Sequence, residues 1–204
     1  MNYNDIICYI EDEIISYNDN SYYHAFKYSK ENFINMITEG IKAPILLGKK
    51  GYGNNGLFYV CLAKKSESKK SCYIQQISKP MFVINPELKT YKARNYTEQG
   101  HYFFPFSRTF FPFRECQFDD EYHAFLIVKP NNILAIQYNL FDNFKKTNCS
   151  DEIKKRQLLI LKSMIKDLDS QSIDLPIIDL STSTKINKEK VLSLKIWFFT
   201  STKN

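Results

Sequence analysis

A chain of 204 residues with 44% hydrophobic composition suits one domain and can bury a core without cross-links. Its 6 Gly and 7 Pro exclude a fibrous or low-complexity protein, and no apolar run approaches the roughly 20 residues of a membrane helix. The formal net charge of +6 permits a phosphate-bearing partner without demanding nucleic acid.

The five cysteines are Cys8, Cys61, Cys72, Cys116 and Cys149. Their number is odd and no CxxC pair occurs, which argues against a disulfide framework or a zinc site. Reduced thiols in a cytoplasmic setting fit best. The opening "MNYNDIICYIEDEIISY" has acids where a signal peptide needs a basic region. The expectation is a protein soluble as made, with delivery into a host or target cell left open.

In chain order, Asn4 to Ser16 shows helical periodicity through Ile6, Ile7, Tyr9, Ile10 and Ile14, with Asn4 as a candidate N-cap. "SYYHAFK" alternates as a strand, placing Tyr22, His24 and Phe26 on one side and Tyr23 and Ala25 on the other. "SKENFINMITEG" reads as a short helix. Ser29 is its N-cap, Phe33, Ile34, Met36 and Ile37 form the apolar stripe, and Gly40 follows its end.

"APILLGKKGYGNNG" holds four of the six glycines and reads as a flexible loop. "LFYVCLA" reads as a buried strand, "KKSESKK" as a polar break, and "MFVI", "EYHAFLIV" and "NILAIQY" as strands. Lys129 to Asn132 turns between the last two. "HYFFPFSRTFFPF", residues 101–113, is interrupted by Pro105 and Pro112 and cannot be a regular central strand. Asp151 to Leu168 reads as a second helix, with Lys154, Lys155, Lys162 and Lys166 on a solvated face. "VLSLKIWFF" reads as a last strand. Strands outnumber helices without strict alternation, so the class is α+β.

Three signals recur in one order. A strand carrying His24 feeds a helix ending "TEGI". A Gly-rich loop leads into "GNNGLFYVCLA", with Tyr73 beyond it. An acid then opens the strand "FDDEYHAFLIV". This order resembles the ADP-ribosyltransferase superfamily, in the branch with a histidine–tyrosine–glutamate triad that includes the diphtheria-toxin-like enzymes and the poly(ADP-ribose) polymerases. The resemblance covers residues 20–140. It implies a single domain over 1–204, an ADP-ribosyltransferase-like split mixed β-sheet core, and additions at 1–19 and 141–204.

The resemblance also assigns roles. His24 would hydrogen-bond an NAD ribose hydroxyl, and the Ala25 backbone would meet the nicotinamide amide. Tyr59 would stack on the nicotinamide ring, with Tyr73 on a second face. Glu121 would bond the nicotinamide ribose and stabilise the transition state. Lys49 and Lys50 are candidate diphosphate partners. The chemistry is coherent: breaking the nicotinamide glycosidic bond develops an oxocarbenium ion, which a carboxylate stabilises. The leaving group is a cationic ring that suits aromatic faces, and a Gly-rich loop brings backbone N–H groups to a diphosphate.

This chain departs from the pattern in two places. Ala25 stands where many members have Gly. The stacking tyrosine sits two residues after the strand glycine in the family, and that place is Phe58. One residue reverses a strand's face, so either Tyr59 or Phe58 stacks. Asp119 and Asp120 could extend the acidic site, and Glu115 competes with Glu121 but lacks an apolar strand after it.

Blander readings stand beside these. His24 and Tyr59 can be core residues, Glu121 a solvated strand end, and His123, on the face of Glu121, a packing residue. His101 has no convincing partner. A cysteine-hydrolase reading fails on Cys61, placed inside a buried strand, and has only Cys116 near His123 to offer. The branch that uses an Arg and a Ser-Thr-Ser strand fits poorly, because "LSTST" follows every candidate glutamate. No His, Cys and Asp cluster has metal-ligand spacing.

The expected function is transfer of one ADP-ribose from NAD to a macromolecular acceptor, a protein by preference, with release of nicotinamide, as in a bacterial toxin or effector. The alternatives are a non-catalytic module binding a partner through the aromatic loop 101–113 with Arg108, and an ADP-ribosyltransferase acting on nucleic acid.

Overall fold

The computed structural model describes residues 3–15, 20–49, 57–64, 80–92, 121–145, 149–179 and 182–195. The calls on Lys50, Tyr73, Glu115, Cys116, Asp119, Asp120 and the 101–113 segment with its His101 and Arg108 lie outside these residues.

The elements, in chain order, are α1 (Tyr3–Ile10), β1 (Glu11–Ile14), β2 (Tyr22–Ala25), α2 (Lys30–Glu39), β3 (Ile41–Lys42), a 3-10 turn at Pro44–Leu47 and β4 (Tyr59–Lys64). Then come β5 (Met81–Ile84), β6 (Tyr91–Lys92), β7 (Glu121–Phe125), β8 (Ile127–Val128), a 3-10 turn at Pro130–Asn132, and β9 (Ile133–Tyr138). Helices α3 (Phe141–Lys145) and α4 (Asp151–Ser170), strands β10 (Ile177–Asp179) and β11 (Thr184–Ile186), and α5 (Lys188–Ser193) complete the described chain. It is an α+β protein, as the pattern of elements predicts.

Nine strands form one sheet in the order β1-β11-β10-β9-β5-β2-β4-β7-β6, and β3 pairs with β8 in a separate ladder. Neighbours in the large sheet are antiparallel except β9 and β10. A parallel pair needs a crossover, and α3 with α4 provides it. The sheet runs beyond residues 20–140 on one side, because β10, β11 and β1 continue it past β9.

Helix α2 packs on α4, α1 on α3 and α5, and α4 on α5. These helices cover one side of the sheet, where Tyr22, Phe26, Val60, Leu62, Phe82, Ile84, Ile136 and Ile177 meet Phe33, Ile37, Leu161 and Ile165. Phe26, Phe33 and Phe82 stack within it at centroid distances of 4.4 to 6.0 Å. The Tyr28 hydroxyl ties the entry of α2 to α4 by donating to Asp167 Oδ2 at 2.7 Å. Burial, followed by this carboxylate, raises the Tyr28 pKa to about 12.

Helix ends follow local chemistry. Ser29 stands at the N-cap of α2, but its side chain makes no capping bond, and its carbonyl accepts from Phe33 N. Gly40 ends α2 at φ 99°, and a Cβ there would lie 2.5 Å from the Val128 carbonyl oxygen, so only glycine fits. Ser150 accepts from Ile153 N at the head of α4, and Asn187 accepts from Lys190 N at the head of α5.

Four sequence readings are corrected. The helix expected over Asn4 to Ser16 starts at Tyr3 and stops at Ile10, so Asn4 is helical and not a cap. Continuing it would set Glu11, Asp12 and Glu13 at the negative end of the helix dipole. As β1 they pair with β11, and Glu13 meets Lys185 Nζ at 3.2 Å. The start of "VLSLKIWFF" is helical, in α5, where the Asn187 cap decides it. Lys154 is buried rather than solvated, and Lys162 is partly buried, its ammonium donating to the Leu192 and Leu194 carbonyls at the C-terminal end of α5. Finally, "EYHAFLIV" is broken at Leu126, which has φ 59°. Leu126 N donates to Phe58 O at 2.9 Å and its carbonyl accepts from Ala43 N at 2.7 Å. The chain thereby leaves β4 and joins β3.

Candidate functional site

The three motif strands are consecutive in the sheet. β2 carries His24, β4 carries Tyr59, and β7 begins with Glu121. Tyr23 pairs with Ala63 and Ala63 with Glu121, so one row crosses all three. Neighbouring strands lie about 4.8 Å apart, which puts β2 and β7 about 10 Å from each other.

The residues do not all share a face. Tyr59 is opposite Phe125, Cys61 opposite His123, and Ala63 opposite Glu121, so these six positions lie on one side by strand alternation. His24 alternates with Tyr23 and falls on the other side with Tyr22, which belongs to the helix-covered core.

The ladder between β2 and β4 consists of Tyr22 with Lys64 and Tyr23 with Ala63. β2 goes on pairing with β5 through His24 with Phe82 and Ala25 with Met81. Where the β4 ladder ends, the His24 side chain takes over, its Nδ1 3.0 Å from the Cys61 carbonyl oxygen. A carbonyl only accepts, so Nδ1 carries the proton and donates. Burial lowers the His24 pKa below 6.5, opposed in part by this hydrogen bond. The ring is therefore neutral near pH 7, and its Nε2 is an acceptor.

Tyr59 opens β4 and is half-buried. Its ring stacks on that of His123, with centroids 5.5 Å apart and planes at 24°. Phe125 meets it edge-on at 5.7 Å and 63°. Phe58 stands just before the strand and is 40% exposed. Ala25 is buried. Lys49 is exposed on the turn after Pro44–Leu47, a turn tied to the foot of β4 by Ile45 N donating to Leu57 O at 3.0 Å. Cys61 is half-buried and its thiol is free of any disulfide, which corrects the reading of β4 as fully buried.

His123, read from the sequence as a packing residue, packs on Tyr59, a contact that runs diagonally across two strands more than 60 positions apart in the chain. The signal was present in the alternation that puts His123 on the face of Glu121. Sequence reasoning missed a set of exposed apolar residues: Ile45, Leu46, Leu47, Phe58 and Phe125 are all exposed, on segments joined by the Ile45–Leu57 and Leu126–Phe58 backbone bonds. Among the described residues no three His, Cys, Asp or Glu side chains gather as metal ligands would, and no helix is long and apolar enough to cross a membrane. The chain matches no family model, no curated protein and no solved structure.

Proposed function

We propose that the protein transfers ADP-ribose from NAD to a macromolecular acceptor and releases nicotinamide. The observation that carries this reading is the adjacency of β2, β4 and β7. Segments that resemble the His, Tyr and Glu motifs of ADP-ribosyltransferases are far apart in the chain and lie side by side in the sheet. The distance from β2 to β7 is within the span of one nicotinamide riboside. His24 and the row of Tyr59 and Glu121 lie on opposite sides of the sheet, so the reading requires the ligand to pass where the β2–β4 ladder ends and to displace the His24–Cys61 bridge that closes it.

Each residue then has a task that its chemistry permits. His24, neutral and fixed through Nδ1–H, accepts a ribose hydroxyl at Nε2. The Ala25 backbone, next along β2, meets the carboxamide. Tyr59 stacks on the nicotinamide ring, with Phe58 as the alternative. Glu121 stabilises the oxocarbenium ion as the glycosidic bond breaks. Lys49, on an exposed turn, offers a charge to the diphosphate. The leaving nicotinamide departs neutral, so no general acid is needed.

The test is nicotinamide release from NAD, with cell lysate as acceptor, for the wild type and for Glu121→Gln. The expected loss is about 100-fold or more, in line with removing one strong transition-state interaction, with an unchanged thermal midpoint. Absence of activity and of NAD binding by calorimetry in the wild type overturns the reading.

A second reading rests on the exposed apolar residues Ile45, Leu46, Leu47, Phe58 and Phe125. Apolar side chains exposed on joined segments suit a protein partner. In an enzyme they would receive the acceptor, and without NAD binding they would make the chain a binding module. The acceptor is accordingly proposed to be a protein, with nucleic acid as the alternative.

A further inference from the structure

His123 has no task in the reading above, yet it makes the closest described contact to the Tyr59 ring. Tyr59 is opposite Phe125 and His123 is opposite Cys61, so the contact is diagonal across the ladder. Diagonal neighbours lie about 7–8 Å apart, a reach that aromatic side chains bridge. The rings lie nearly parallel, 24° apart, at 5.5 Å, while Phe125 presents its edge at 63° and 5.7 Å. Tyr59 is thus held on one face by an imidazole and from the flank by a phenyl ring. A side chain that must stack on a ligand ring binds it better when its rotamer is locked beforehand, because the ordering cost is met in folding.

We propose that His123 is a positioning residue that holds Tyr59 ready to stack on a flat, cationic heteroaromatic ring. The proposal rests on the reading of Tyr59 as the nicotinamide platform. It gives the two strand histidines different work. His24, on the helix side, bonds through its nitrogens, and His123, on the opposite side, acts through the flat face of its ring.

The discriminating experiment is calorimetry of the full chain with two ligands, NAD and ADP-ribose, which lacks the nicotinamide ring. The variants are His123→Leu, which fills the space without a flat ring, and His123→Phe, which restores one. His123→Leu is expected to weaken NAD binding about tenfold, a typical positioning effect, and to leave ADP-ribose binding unchanged. His123→Phe is expected to recover NAD binding to within about threefold of the wild type on the same scale. Equal weakening for both ligands would mean that the site has collapsed and would overturn the proposal. So would unchanged NAD binding in His123→Leu, or no recovery in His123→Phe. If the wild type binds neither ligand, the enzyme reading fails and this proposal with it. If it binds NAD and the Leu variant matches it, only the role of His123 is lost.

Discussion

The two neighbours of β2 in the sheet are built differently. On one side, β5 is Met81-Phe82-Val83-Ile84, and all four residues are buried, to 1% exposure or less. On the other side, β4 is less completely covered. Val60 and Leu62 are buried against the helices and Ala63 is buried on the opposite face, where Tyr59 and Cys61 are only half-buried. Both segments are apolar runs in the sequence. A strand buried on both faces carries only packing, whereas a strand with half-buried side chains on one face keeps some of them within reach of a ligand. His24 sits between the two, paired with Phe82 on β5 and hydrogen-bonded to Cys61 on β4. It belongs to the core through one neighbour and to the candidate site through the other.

This contrast can be broken most strongly at its packed side. Phe82→Ala removes a fully buried ring from the Phe26–Phe33 stack and is expected to cost about 3–5 kcal/mol, read as a shift in denaturant midpoint at constant m-value. Cys61→Ala on β4 should cost about 1 kcal/mol or less, since a small, half-buried side chain is lost. Similar losses at both positions would mean that β4 is packed on both faces like β5.

The position of His24 between the strands gives a pH dependence. Its folded pKa is lowered by burial, so the unfolded chain takes up the proton first as pH falls. Stability should be flat above about pH 7 and fall below the unfolded value near 6.5, with a slope of at most about 1.4 kcal/mol per pH unit from this one group. Unfolding curves measured from pH 7.5 to 5 check it, and His24→Gln should flatten the slope. A slope that His24→Gln leaves unchanged would assign it to other groups.

The smallest effect on stability is expected at Leu46, which is 49% exposed. Leu46→Ser should change stability by about 0.5 kcal/mol or less. If the exposed apolar residues receive the acceptor, the same variant should lower transfer to protein while sparing hydrolysis of NAD to nicotinamide. Equal losses in both would place Leu46 in the NAD site.

Much of the fold was legible where one local rule decided it. α2 has its stripe of Phe33 and Ile37 and its terminal Gly40, and β2, β5 and β9 fall where the apolar pattern puts them. The pattern failed where distant partners decided the outcome. β1 became a strand because β11 was there to pair with it, and Lys154 was buried by tertiary packing. The break at Leu126 depends on bonds to Phe58 and Ala43. At the candidate site, the sequence offered His24, then Tyr59 or Phe58, then Glu121 in order, but each strand's faces were known only relative to itself, and on β4 the choice between its two faces was open.

The sequence by itself therefore determined the α+β class, the main strands and helices, and which residues alternate within each strand, because these follow from the 2.0 and 3.6 periodicities and from local capping. Tertiary structure alone decided that β2, β4 and β7 are neighbours, that His24 turns to the helix side while Tyr59 meets His123, and that β4 keeps two half-buried side chains where β5 is wholly buried. Strand order and register come from pairing between segments far apart in the chain, and no local pattern encodes which strand lies next to which.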